Sequence, residues 1–127
     1  MLKLTNPKTL PTPPSNYSHI VEVSEGSRMV FISGQVGVRE DGSCSSDFSE
    51  QVEQTLQNLL EALTAVDMKI TDLVRLNAYI TTNGDVSKFR DIRDRWSLGH
   101  AAASTLVVVA GLAAPAWQVE IEAVAAK

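Results

Sequence analysis

From Val52 the apolar positions recur at helical spacing. Val52, Leu56, Leu59, Leu60, Leu63 and Val66 stand at i, i+4, i+7, i+8, i+11 and i+14, with Glu53, Gln54, Gln57, Asn58 and Glu61 between them. One stripe is apolar and the rest polar, which predicts an amphipathic helix. A second stripe, Val86, Phe89, Ile92 or Arg93, and Trp96, predicts another, with Asp85 as its N-cap after the turn Thr81–Asp85. Elsewhere the period falls to two. His19–Val23 and Arg28–Ser33 flank a turn at Ser24–Ser27, and Gly34–Val38 continues extended as a short third strand. Leu73–Ile80 sets Val74, Leu76, Ala78 and Ile80 against Arg75, Asn77 and Tyr79. Trp117–Val124 sets Trp117, Val119, Ile121 and Ala123 against Gln118, Glu120, Glu122 and Val124. Between them, Thr105–Ala110 is a continuous β-branched run, expected where a strand is covered on both faces.

Four of the five prolines (Pro7, Pro11, Pro13, Pro14) fall in residues 1–16, so this segment is expected to be an extended arm. No repeat or linker interrupts residues 17–127, and the chain is read as one domain, 1–127. The order β-β-β-α-β-α-β-β predicts an α+β fold, a mixed six-stranded sheet with both helices on one face. Helices on one side leave the run at Leu106–Val109 short of cover on the other. A closed homo-oligomer would supply it.

Composition narrows the function. The 127 residues are 44% hydrophobic and 20% charged, the balance of a packed core rather than a disordered chain. Fifteen acidic against 11 basic residues give a net charge of −4. With no basic run, nucleic acid is not an expected partner. Cys44 is the single cysteine, and the opening residues lack a signal-like apolar run, so a reducing, cytoplasmic setting is expected. No segment is apolar for long enough to predict a membrane span. The two histidines, His19 and His100, have no ligand-like spacing, so neither metal nor cofactor is expected.

Four places carry candidate chemistry, each with a plainer structural reading. Tyr17-Ser18-His19 offers a phenol that orients a ligand, or merely begins a strand. Ser33-Gly34-Gln35 offers a hydroxyl and a backbone approachable at glycine, or simply a β-bulge. Glu120 and Glu122, at i and i+2, face one way. One is a general base if burial favours it; otherwise both line a solvated face. Arg90, Arg93 and Arg95 among Asp91 and Asp94 read first as a salt-bridged solvent face, and Arg90 alternatively as a bidentate carboxylate ligand.

Taken together, Tyr17-Ser18-His19, Phe31-Ile32-Ser33-Gly34-Gln35-Val36, Gln54–Leu63, Ala103–Val107 and Val119-Glu120-Ile121-Glu122-Ala123-Val124-Ala125 resemble the RidA/YjgF family of reactive-intermediate deaminases, formerly called L-PSP endoribonucleases. The resemblance runs in order from Tyr17 to the C-terminus. It implies a chorismate-mutase-like fold and a homotrimer with ligand clefts between subunits. It further implies hydrolysis of reactive imines and enamines to 2-keto acids and ammonia without a cofactor. Within such a cleft Tyr17 borders the ligand, Ser33 and Gly34 offer hydroxyl and backbone contacts, and Glu120 places the attacking water. The family's carboxylate-gripping arginine falls at Ser104, or at Ala103 with a one-residue shift, so this chain resembles a branch lacking it. Loss of such a contact from a desolvated site costs about 2–5 kcal/mol. The usual asparagine of the second helix falls at Arg90. The implied function is therefore an imine deaminase of altered substrate range, or a non-catalytic trimer that binds a small metabolite in the same cleft.

Overall fold

The long apolar stripe forms α1 (Phe48–Ala65) in the computed structural model, which describes residues 1–127. Asp47 caps it, its carboxylate accepting the Glu50 N–H at 3.0 Å. The second stripe forms α2 (Val86–Trp96), and Asp85 is its N-cap, accepting from Lys88 N at 3.0 Å. Six strands accompany them: β1 (Leu2–Thr5), β2 (Ile20–Val23), β3 (Met29–Val36), β4 (Leu73–Thr81), β5 (Ala103–Val109) and β6 (Val119–Ala126). The α+β class and the two helices are as the patterning predicts.

Four strands form a mixed sheet in the order β3-β6-β4-β5, with β4 and β5 parallel and the other pairs antiparallel. β1 and β2 form a separate antiparallel ladder. An isolated bridge between Ser18 and Ala103, with Ser18 N donating to Ala102 O at 3.2 Å, ties the lead-in of β2 to the start of β5.

The core lies on one face of this sheet. Val52, Leu56, Leu59 and Leu63 of α1 and Phe89 and Ile92 of α2 meet Leu73, Leu76, Ala78 and Ile80 of β4 and Val119, Ile121, Ala123 and Ala125 of β6. Directly paired residues share a face. The opposite, open face therefore carries Arg75, Asn77 and Tyr79 of β4, Val124, Glu122 and Glu120 of β6, and Phe31 of β3. No helix is long and apolar enough to cross a membrane.

Three placements differ from expectation. The arm holds strand β1, because Leu2 and Leu4 alternate with Lys3 ahead of the prolines. Arg28–Ser33 and Gly34–Val38 are largely one strand. Ile32 pairs with Ala123 and Gln35 with Ile121, so Ser33-Gly34 is a bulge inside β3 rather than a break between strands. Finally, the run at Leu106–Val109 is not covered on both faces within the chain. It belongs to the edge strand β5, where Val108 is 56% exposed.

Candidate functional site

The bulge in β3 sets the geometry of the first cluster. It turns Gly34 against the side chain of Glu120 on the neighbouring strand. A Cβ at position 34 would lie 2.8 Å from Glu120 Cδ and closer still to the carboxylate oxygen. Only glycine leaves room for the glutamate there. Glu120 accepts no hydrogen bond from within the chain, and it is only half-buried.

Glu122, two residues on, is held differently. Tyr79 Oη donates to its Oε1 at 3.0 Å and Asn77 Nδ2 donates to the same atom at 3.1 Å. Arg75 Nε in turn donates to Asn77 Oδ1 at 2.9 Å, and its Nη2 to Thr105 Oγ1 at 2.7 Å. The Glu122 contact raises the phenol of Tyr79 above its ordinary 10.0, first through the hydrogen bond that ionisation would destroy. Of the two carboxylates on this face, Glu122 is fixed within a network and Glu120 is free to act on something else. Ser33 is exposed beside them, in a hollow of about 270 Å3 shared with Phe31, Arg75, Asn77 and Glu122.

The second cluster lies on the helix side of β5. Tyr17, Arg90 and Ser104 share a hollow of about 180 Å3 with Pro14, Ser15, Arg93 and Leu106. The arm reaches it because Asn16 Nδ2 donates to Ser97 Oγ at 2.9 Å and to His100 O at 3.1 Å, which straps Tyr17 across the end of α2. Ser104 pairs with Leu76 and so faces the helices, opposite α2.

Arg93 departs from the expected solvent face: it is 3% exposed. Its Nε donates to Asp94 Oδ1 at 3.0 Å. Its Nη2 lies 2.9 Å from the same oxygen but outside hydrogen-bond geometry, so that contact is coulombic and the Nη2 protons find no acceptor. The Phe89 ring sits 5.7 Å from its Cζ.

The predicted site residues thus fall into two groups within one chain. Gly34 and Glu120 touch, with Ser33 adjoining. Tyr17, Arg90 and Ser104 gather elsewhere, beyond the opposite edge of the sheet. Arg75, Asn77 and Tyr79 were not singled out from sequence, although the alternation of β4 already put them on one face. Arg93 reads from sequence both as an alternative to Ile92 on the apolar stripe and as part of a charged solvent face; the structure takes the first reading. No cluster of three or more His, Cys, Asp or Glu side chains is arranged to hold a metal ion.

A family profile described as Endoribonuclease L-PSP matches residues 8–127. A RutC family protein of Aquifex aeolicus is 35% identical over 95 residues, 74% of this chain and 70% of its own length. The solved structure of YyfB from Yersinia pestis, of the conserved Rid protein family, superposes with a TM-score of 0.88 at 32% identity, covering 98% of this chain and 97% of that one. A 2-iminobutanoate/2-iminopropanoate deaminase of Dermatophagoides farinae is 28% identical over 90% of this chain and 88% of its own.

Proposed function

The chain belongs to the endoribonuclease L-PSP family, the RidA/YjgF proteins, and from that premise we propose that it is a hydrolytic deaminase of small reactive imines and enamines. The observation that carries this reading is the seat of Glu120 over Gly34, with Glu122 separately held by hydrogen bonds from Tyr79 and Asn77. An accessible carboxylate without an internal partner, beside a hydroxyl and an approachable backbone, suits a water that must lose a proton as it attacks. In the proposed reaction that water adds to the imine carbon. Glu120 takes the proton and returns it to nitrogen. A second transfer then moves the proton of the new hydroxyl to the amino nitrogen as the C–N bond breaks, so that ammonia leaves and a 2-keto acid remains.

The two clusters belong to one cleft only if a second copy contributes one of them. Ser33 and Gly34 lie on edge strand β3, and Ser104 on edge strand β5. A homotrimer that sets one copy's β5 edge against its neighbour's β3 edge would join them three times over. Exposed apolar side chains at both edges, Met29 and Phe31 on β3 and Val107 and Val108 on β5, support that contact. The net charge of −4 argues against the ribonuclease activity in the family's description.

The test is ammonia release from imines generated in situ from several amino acids. Wild type should accelerate it, and Glu120→Ala should lower the rate by about 10²–10⁴-fold. Equal, background-level rates for both would reject catalysis. The cleft would then be a binding site, a reading that the hydroxyl of Ser104 in place of a guanidinium favours.

A further inference from the structure

We propose that Arg93, with Arg90 beside it, anchors a ligand carboxylate in the hollow between α2 and β5, so that the guanidinium comes from the helix rather than from the strand. The location rests on the deaminase reading above, in which this hollow is half of the cleft. The chemistry stands on the hollow itself.

A buried guanidinium normally has its donors matched by acceptors. Arg93 does not. Its side chain is 4% exposed, and Asp94 offers it one oxygen, satisfying Nε and leaving Nη2 without an acceptor. The Phe89 ring, 5.7 Å from Cζ, limits how far the group can swing away. Arg90 makes no ion pair and lines the same hollow. The remaining polar walls are the hydroxyls of Ser15, Tyr17 and Ser104, and no carboxylate lines the hollow.

Two guanidiniums with Asp94 as the sole acidic partner leave one positive charge, which one carboxylate neutralises. Such a ligand would accept from Arg90 and from the Tyr17 phenol, and a small turn of the Arg93 guanidinium, which lines the hollow, would bring its buried, unpartnered Nη2 to the carboxylate. The volume, about 180 Å3, fits a small carboxylic acid. Ser104 matters by its smallness. A long cation there would confront Arg93 across the hollow, whereas a hydroxyl leaves the space to the ligand. Arg93 and Arg90 are thus specificity-determining residues, and Ser104 is the substitution that admits them.

Pyruvate is the probe, an unreactive 2-keto acid titrated calorimetrically against the full-length protein. Wild type should bind it. Arg93→Gln should weaken binding by roughly 30-fold or more, and Arg93→Lys, which keeps the charge but loses the fork, by less. Because Arg93 is buried, Arg90→Gln is run in parallel. Arg90 is exposed, so this change leaves the core untouched, and a loss of several-fold is expected. A structural role alone would lower the unliganded melting temperature of the Arg93 variants while their folded fraction bound pyruvate as wild type does. That result, an undiminished affinity in Arg90→Gln, or binding of inorganic phosphate but not of pyruvate by wild type, would overturn the proposal. So would absence of pyruvate binding by wild type. Arg93-dependent pyruvate binding without imine turnover would remove the deaminase reading and leave this one standing. Turnover with a Michaelis constant indifferent to Arg90→Gln and Arg93→Gln would do the reverse.

Discussion

Tyr79 and Gly34 show how single residues set the state of the two glutamates. Tyr79 donates to Glu122, and its phenol is raised above 10.0 chiefly by that bond, with desolvation and the two glutamate charges adding to it. Since the folded value is the higher one, the contribution to stability is fully present below the unfolded phenol's pKa. It is lost as pH rises through the folded value. Ultraviolet absorbance titration resolves this in a chain with two tyrosines: Tyr79→Phe should delete the later transition, and Glu122→Gln should bring it earlier. A late transition untouched by Glu122→Gln would refute the coupling. At Gly34, an alanine Cβ would press on the Glu120 carboxylate. Gly34→Ala should cost about 1–3 kcal/mol and displace the glutamate. Deaminase activity should therefore fall more than a melting curve alone would explain. Unchanged activity would mean that the seat of Glu120 is immaterial.

Among the elements, α1 is tied to β6 by Gln51. This fully buried side chain donates to Ser45 O at 2.8 Å and to Ala116 O at 2.9 Å, and accepts from Gln118 N at 2.9 Å. It thereby fixes the entry of the strand that carries Glu120. Gln51→Leu strands those groups and should cost about 3 kcal/mol, read as a lower urea midpoint at unchanged slope. A midpoint equal to wild type would show that water or repacking replaces all three bonds. The α1 stripe was legible in sequence because five turns of helix repeat one signal, and Asp85 because a cap acts locally. The bulge in β3 was not, since Ser33-Gly34 gives the same residues as a strand end; only the pairing of Ile32 and Gln35 with β6 distinguishes them. The burial of Arg93 stayed ambiguous, because its place as an alternative to Ile92 on the apolar stripe competes with its charged neighbours Arg90, Asp91, Asp94 and Arg95, which describe a solvent face. The N-terminal arm, tied to the end of α2 by Asn16, brings Pro14, Ser15 and Tyr17 to the same hollow. Likewise β1, four residues ahead of the prolines, takes its order from β2, a distant partner in sequence, with Leu2 pairing with Val23 and Thr5 with Ile20.

For the whole molecule, the β-branched run of β5 announced cover without saying whose. Within one chain the strand is an edge, with Val107 and Val108 exposed, and at the far edge Phe31 is 77% exposed. Sequence cannot separate burial by the chain's own helices from burial by a copy, because both demand the same apolar residues. The trimer proposed above makes the distinction measurable. Phe31 contributes little to the core of its own subunit, so Phe31→Glu should change the intrinsic stability of one subunit by no more than about 0.5 kcal/mol. A carboxylate inserted into a contact between copies is desolvated without a partner, however, and should drive dissociation. Sedimentation velocity should therefore show a trimer for wild type and a monomer for Phe31→Glu, with helical content retained. The variant's melting temperature should lose its dependence on protein concentration, because subunit association no longer feeds back on folding. Deaminase activity should vanish with the trimer although Glu120, Gly34 and Ser33 remain in place, since the half of the cleft holding Tyr17 and Arg93 would then be absent. A fully active monomer would instead mean that one of the two clusters suffices, and that the apolar edges serve something other than the site.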